Sequence, residues 1–256
     1  MAHIEVLQIP VLSDNYVYLV RDEDTGTCGV VDPAVGGPVI DALEARGWKL
    51  DWIINTHHHG DHTGANMELK EKYGCSIVGP RGEQDKIPGI DQAAGDGDTF
   101  ALGSSVAKVF DVPGHTAGHN AYWFEDSDAL FCGDTLFALG CGRVFEGTHE
   151  QMWTSLDKLR SLPATTRIYC AHEYTEANLA FALTVEPDNS DLLSRADEIR
   201  ALRGEGKPTV PSELGQELAT NPFVRADQDA LQAAVGMAGA DPVAVFAEVR
   251  TRKDNF

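Results

Sequence analysis

Thr56-His57-His58-His59-Gly60-Asp61-His62 puts four imidazoles and a carboxylate within six residues, directly after the apolar segment 52–56, and contains the pattern His-x-His-x-Asp-His. On a helix of about 3.6 residues per turn, His57 and His59 would point about 200° apart. On an extended loop, residues two apart share a side. The spacing therefore predicts an extended loop on which His57 and His59 clasp one ion while Asp61 and His62 turn toward another.

Working outward, three further segments offer the same kind of side chain: His115 in Pro113-Gly114-His115-Thr116, Asp134 in Cys132-Gly133-Asp134-Thr135, and His172 in Cys170-Ala171-His172-Glu173. Each follows a strand-like segment within a few residues. Rigid sheets present functional side chains on the loops at strand ends, so the four segments are expected to meet at one edge. Five His and two Asp are too many for one tetrahedral ion but suit two ions about 3.5–4 Å apart that share a carboxylate and a water. Neutral imidazole and carboxylate suit zinc, iron or manganese. A histidine-rich surface loop would explain the clustering but neither the internal Asp61 nor the three matching loops. His58 and His119 read as packing or supporting groups, and Asp32 as either a turn cap or a group that orients a ligand imidazole.

The rest of the chain supplies a scaffold. Segments 4–9, 16–20, 28–31, 52–56, 106–112, 121–124, 129–132 and 167–170 read as strands, with helices at 38–46, 65–73 and 150–159. Thr148 with Gln151 three residues on has capping-box spacing. After about His172 the segments 175–185, 191–203, 212–219, 228–237 and 242–253 all favour helix, the last opened by Asp241-Pro242 as N-cap and first helical residue. Strands with a few interspersed helices, followed by a helical region, predict layers of sheet and helix with a helical C-terminal domain.

Composition excludes several classes. The chain has 256 residues, 43% of them hydrophobic, enough for a core; at roughly 100–200 residues per domain it makes one large domain or two modest ones. With 20 Lys+Arg against 40 Asp+Glu the formal charge is −20, which argues against a nucleic-acid or anionic-membrane partner. No run approaches the roughly 18 apolar residues of a membrane span, and 1–10 lacks the basic and apolar regions of a secretory signal. The five cysteines are scattered and contain no Cys-x-x-Cys pair, so neither a disulfide framework nor a thiolate zinc site is expected and a cytoplasmic location is the simplest.

The His-x-His-x-Asp-His string resembles the hallmark of the metallo-β-lactamase superfamily. Within it the chain resembles the hydroxyacylglutathione hydrolases, or glyoxalase II, from end to end, through Ile9-Pro10-Val11-Leu12-Ser13-Asp14-Asn15-Tyr16, Val31-Asp32-Pro33, the segment 56–64, Gly114-His115-Thr116, Gly133-Asp134-Thr135-Leu136-Phe137, Gly140-Cys141-Gly142-Arg143, Ala171-His172-Glu173-Tyr174-Thr175, Asn221-Pro222-Phe223 and the segment 250–256. The resemblance implies an α+β fold, an αββα sandwich over 1–172 followed by a helical glutathione-binding domain over 173–256. It implies a binuclear centre with His57, His59 and His115 on one ion, Asp61, His62 and His172 on the other, and Asp134 between them. Two divalent ions per chain follow, zinc first, with iron or manganese as alternatives, and His57, His59, Asp61 and Asp134 take part in catalysis. The implied reaction is hydrolysis of S-(2-hydroxyacyl)glutathione thioesters such as S-D-lactoylglutathione, the second step of methylglyoxal detoxification. A monomer is expected.

In that family glutathione is held by positions that fall here on Arg143, Tyr174, Arg250 and Lys253. Arg250 and Lys253 are three apart and so share a helix face, an anion clamp for a carboxylate. Family members often carry a Tyr two residues after the basic residue of the turn; Phe145 stands here and cannot donate a hydrogen bond. The nearest rival is a glutathione persulfide dioxygenase of the same superfamily, with one iron on a His, His, Asp set; the basic pair in the helical tail disfavours it.

Overall fold

Strands β1 (Ile4–Val11) and β2 (Asn15–Asp22) form an antiparallel hairpin whose second strand shows how the layers arise. Along β2, Tyr18 and Val20 face one apolar core while Val17 and Leu19 face another, the two-residue period of a strand covered on both sides. The computed structural model describes residues 3–256; Met1 and Ala2, the start of the segment read against a secretory signal, lie outside them. The first sheet continues through β3 (Cys28–Val31), β4 (Trp52–Ile54), β5 (Ser76–Pro80) and β6 (Gln92–Ala94), with β3 to β6 parallel. Parallel neighbours need crossovers. Helices α1 (Gly36–Arg46), α2 (Gly60–Thr63) and α3 (Asn66–Tyr73) lie in those connections, and Val39, Leu43 and Leu69 cover the outer face of the sheet.

The second sheet is built from β7 (Thr99–Leu102), β8 (Ser105–Asp111), β9 (Asn120–Phe124) and β10 (Ala129–Gly133). A small hairpin of β11 (Leu136–Phe137) and β12 (Gly140–Cys141) follows, and then β13 (Arg167–Cys170) runs parallel to β10 and is flanked by β14 (Ser212–Glu213). Tyr122, Phe124 and Phe131 meet Tyr18 and Val20 between the sheets. Helix α4 (His149–Arg160) opens with the predicted capping box: the Gln151 N–H donates to Thr148 Oγ1 at 3.1 Å, and Gln151 Oε1 accepts the Thr148 N–H at 2.9 Å.

Helices α5 (Thr175–Val185), α6 (Ser190–Gly204), α7 (Leu214–Thr220), α8 (Asp229–Ala234) and α9 (Pro242–Asp254) complete the chain. Asp241 caps α9 with Pro242 at its first turn, and Phe246 on α9 meets Trp153 on α4, ring centroids 6.1 Å apart. Phe181, Leu214, Phe223 and Phe246 join the same core as the two sheets. The layers are helix, sheet, sheet, helix, the expected α+β sandwich. Strands β5, β6 and β7 were not predicted, and segment 212–219, read wholly as helix, begins as the edge strand β14.

At one edge the sheets are stitched together. The Asn120 N–H donates to the Thr56 carbonyl at 2.8 Å, the Tyr122 hydroxyl to the Asn55 carbonyl at 3.1 Å, and the Tyr16 N–H to the Ala171 carbonyl at 2.7 Å. At the other end of β2, Asp22 accepts from the Thr25 and Ser105 N–H groups and from the hydroxyls of Thr25, Ser104 and Ser105. No helix of the described residues is long and apolar enough to cross a membrane. All five cysteines are buried and unpaired.

Candidate metal centre

The stitched edge gathers the four predicted segments. His57 and His59 leave the end of β4, His115 stands in the loop after β8, Asp134 follows β10 and His172 follows β13. The expected extended loop persists only through His59. Gly60 then starts α2, a single turn in which the N–H groups of His62 and Thr63 bond the His59 carbonyl at 3.0 and 3.1 Å. Consecutive residues on such a turn point about 100° apart. His62 is thus driven inward while the Asp61 carboxylate keeps 41% of its side-chain exposure.

Hydrogen bonds on the outer ring nitrogens settle which atoms face inward. Thr56 gives its hydroxyl hydrogen to Asp32 Oδ2 at 2.7 Å, so its oxygen accepts from His57 Nδ1 at 3.0 Å and the Nε2 lone pair is free. His62 Nδ1 donates to Asp32 Oδ2 at 3.0 Å, His115 Nδ1 to the Arg143 carbonyl at 2.9 Å, and His172 Nδ1 to Asp14 Oδ1 at 2.8 Å. Asp32 does this from a left-handed backbone, φ 49°, which Asp tolerates better than most residues. It thereby fills the orienting role rather than a turn-capping one alone. This is how proteins fix an imidazole for a metal.

Inside the ring, His59 Nδ1 lies 3.0 Å from His57 Nε2 and 3.1 Å from His115 Nε2. His172 Nε2 is 3.5 Å from Asp61 Oδ2 and 3.4 Å from Asp134 Oδ1, and His62 Nε2 is 3.6 Å from each of those oxygens. Ligand atoms of His57, His59 and His115, and of Asp61, His62 and His172, come within 4.8 Å of one another in each set. His62 Nε2 and Asp134 Oδ1 are buried without a hydrogen-bond partner, a costly state for a polar atom. Both orphans face the same space beside His172, and a divalent cation there fits them and the donor chemistry.

Electrostatics agree. Burial and the neighbouring imidazoles of His62, His119 and His115 hold His57 far below its ordinary pKa, the neutral form a metal requires. Burial also works against a proton on His62, but the carboxylates of Asp134, Asp32 and Asp61 outweigh it and raise its pKa to about 9. Groups that favour a proton there favour a cation. His119 is a support, as predicted: it is buried, stacks on His57 at 4.5 Å and accepts the Asp134 N–H at 3.1 Å.

A cavity of about 570 Å³ opens over this cluster, with Arg143, Tyr174, Arg250 and Lys253 all lining it. Tyr174 stacks flat on His172 at 4.7 Å. The buried Arg250 donates to the Cys141 carbonyl at 3.1 Å and pairs with Asp254 at 2.9 Å, so part of its guanidinium holds the fold. Lys253 donates to the Ala177 carbonyl at 2.8 Å; burial and the charges of Arg250 and Arg143 lower its pKa, the mark of converging cations. Phe145 is exposed beside the His115 ring, centroids 5.2 Å apart. The C-terminal helices brace this wall: Glu217 Oε2 accepts the Leu139 N–H at 2.8 Å, and Asn221 Nδ2 donates to the Phe137 and Gly140 carbonyls. A Cβ on Gly142 would strike the Asp134 carbonyl oxygen, so glycine is required where the wall passes the centre.

Sequence reasoning passed over three residues of the site. Asp14 orients His172, Asn15 donates to Asp61 Oδ2 at 3.0 Å, and Glu83 accepts from His58 at 2.8 Å. The first two sit in the quoted segment Ile9 to Tyr16, where the turn leading into an apolar strand was the available signal. Glu83 belongs to no motif.

Comparison with known proteins accords with this geometry. Residues 12–172 match the family described as metallo-beta-lactamase superfamily, and residues 173–256 the one described as hydroxyacylglutathione hydrolase C-terminus. The chain is 59% identical to the hydroxyacylglutathione hydrolase of Methylococcus capsulatus over 253 residues, 99% of each chain. It is 55% identical to that of Rhodospirillum rubrum over 256 residues, 100% of each. Among solved structures, ETHE1 from Myxococcus xanthus shares the fold with a TM-score of 0.66 at 24% identity, over 97% of this chain and 98% of that one. The chain belongs to the metallo-β-lactamase superfamily and, within it, to the hydroxyacylglutathione hydrolase family.

Proposed function

We propose that the chain hydrolyses S-(2-hydroxyacyl)glutathione thioesters, such as S-D-lactoylglutathione, to glutathione and a 2-hydroxy acid, here D-lactate, in methylglyoxal detoxification. The observation that carries this reading is that one cavity holds both the His/Asp cluster and the cationic wall of Arg143, Arg250 and Lys253. A glutathione conjugate is anionic, and a protein of formal charge −20 needs such a local patch to receive it.

His57, His59 and His115 would hold one divalent cation and Asp61, His62 and His172 a second, with Asp134 available to both; zinc is the first choice, iron or manganese the alternatives. When bound, the pair supplies Lewis acidity toward the thioester carbonyl and makes a water acidic enough to attack near neutral pH. The protein side chains do the rest. Asp61, half exposed in the cavity and pinned by Asn15, is placed to take a proton from the attacking water. Arg143, Arg250 and Lys253 hold the carboxylates of the tripeptide. Burial and the carboxylates of Asp14, Asp134 and Asp61 push the Tyr174 pKa up, so its hydroxyl stays a donor. Water oxygen bonds to the acyl carbon, the carbon–sulfur bond breaks, and the thiolate leaves without a strong acid because a thiol pKa is only about 8.5.

The same reading treats 1–172 as the catalytic part and 173–256 as the glutathione-binding part of a monomeric cytoplasmic enzyme. The five unpaired thiols support a reducing compartment. The test is steady-state hydrolysis of S-D-lactoylglutathione, followed by thioester absorbance with and without prior chelation, with metal analysed on the same sample. Chelator-sensitive turnover with about two metals per chain is expected. Absence of turnover by fully metallated protein overturns the reading, and oxygen consumption with glutathione persulfide would replace it with the dioxygenase.

A further inference from the structure

Most ligands of the candidate centre have their own partner: Thr56 for His57, Asp32 for His62, Asp14 for His172 and Asn15 for Asp61. His59 differs, because among the described residues its Nε2 makes no hydrogen bond and its Nδ1 faces only His57 and His115. Something else must fix the loop that carries it against the loop that carries His115.

Glu83 spans that gap. It lies on the turn Arg81–Lys86 between β5 and β6, with its side chain fully buried. Its Oε2 accepts the backbone N–H of His58 at 3.0 Å and His58 Nδ1 at 2.8 Å; its Oε1 accepts the backbone N–H of Gly118 at 2.8 Å. His58 sits between His57 and His59, and Gly118 lies three residues past His115. The turn presses directly on the second loop, since a Cβ built on Gly82 would lie 2.9 Å from Gly118 Cα. Glu146 repeats the motif at the rim, 3.6 Å from His58 Nε2 and accepting the Ala117 N–H at 3.0 Å.

His58, Glu83 and Glu146 also bring ligand atoms within 4.8 Å of one another. A cation there competes with three N–H groups already on Glu83 and with Lys86, 3.3 Å from Glu146. The arrangement suits a clamp better than a third metal site.

We propose that Glu83 is a positioning residue that sets the distance between the His57/His59 loop and the His115 loop, and so governs retention of one of the two cations. The proposal rests on the binuclear reading above. A buried carboxylate accepting several N–H groups is a strong tie, and its loss leaves the N–H groups of His58 and Gly118 unpaired. It contacts His58 and Gly118 and lies away from Asp61, His62 and His172, so its loss acts first on the ion of the His57, His59 and His115 set.

The test loads full-length wild type, Glu83→Ala, Glu83→Gln and Asp14→Ala with zinc, then measures zinc per chain during titration with a chelator, with circular dichroism melting as a fold control. Wild type holds two ions. In Glu83→Ala one ion is released about 10–100-fold more readily, the range for losing a group that supports ligands, while the other is retained as in wild type. Glu83→Gln, which keeps one acceptor, falls between. Asp14→Ala, acting through His172, loosens the other ion. Equal retention in wild type and Glu83→Ala, or joint release of both ions from Glu83→Ala, overturns the proposal. Where Glu83→Ala does not fold, Glu83→Gln decides alone, and unchanged retention of both ions in it is the overturning result. A wild type that holds fewer than two ions overturns the binuclear reading instead.

Discussion

Asp22 closes the far end of β2, and Asp134 stands at the metal-centre end of β10. Both are buried, and both have carboxyls held below the ordinary range although burial pushes each of them up. For Asp22 the opposing force is hydrogen bonding from Ser105, Thr25 and Ser104; for Asp134 it is the imidazoles of His62, His172 and His115. Asp22 spends its acceptor capacity on five neutral donors within two turns. Asp134 keeps Oδ1 without a hydrogen bond, facing the inner ring nitrogens of His62 and His172. A depressed pKa therefore does not separate a structural carboxylate from a functional one. The difference lies in whether the donors around it are complete.

The comparison can be broken by experiment. The largest effect is expected for Asp134→Ala: both cations are lost and turnover falls at least about 100-fold, and the metal-free protein also loses stability, because the imidazoles of His62, His172 and His115 that lower the Asp134 pKa lose their counter-charge. Metal analysis and turnover on one sample check this, and a variant that keeps both ions and wild-type turnover would remove Asp134 from the centre. Asp22→Ala should lower unfolding free energy by about 2–6 kcal/mol, since the two fully buried donors of Ser105 are left unpaired at about 1–3 kcal/mol each, with two ions retained.

The Asp22 contribution also carries a pH signature. Its folded pKa is lowered, so its stabilisation is fully present above the unfolded value of about 3.9 and is lost as pH falls below that toward the folded value. Denaturant midpoints for wild type and Asp22→Ala should converge as pH drops from 5 to about 3; a constant gap would locate the stabilisation elsewhere. Smallest among these, Lys253→Ala should raise KM for glutathione thioesters about 10-fold with less change in kcat, as lost ground-state binding does. Arg250→Ala should show the same split and also lower the melting temperature, because Arg250 braces Cys141. An unchanged KM in both would remove them from the substrate site.

Much of this was legible from residue types alone. Strands with strict alternation or dense branched residues were placed nearly to the residue, 28–31 and 167–170 among them, and so were helices with explicit caps such as Thr148 and Asp241. β6 was invisible because Gln92-Ala93-Ala94 has neither β-branched residues nor a run long enough to show a period, and it exists by parallel pairing with β5. β14 was misread because Ser212-Glu213 looks like a helix start, and only the neighbouring β13 makes it a strand. In the centre, side chains next to strand ends could be found by spacing. Glu83 could not, because its role depends on β5 and β6 folding the turn between them onto two distant loops.

The two residue pairs that join β14 to β13, Arg167 with Glu213 and Ile168 with Ser212, place the last strand of the second sheet in the helical half of the chain. During synthesis β13 emerges more than forty residues ahead of its cover, with backbone donors and acceptors open to any passing strand. Such an edge is a template for self-association. The helical half thus serves the sandwich as a guard against aggregation, and a fragment cut at residue 172 should come out of solution as intermolecular β-structure even with every candidate metal ligand in place.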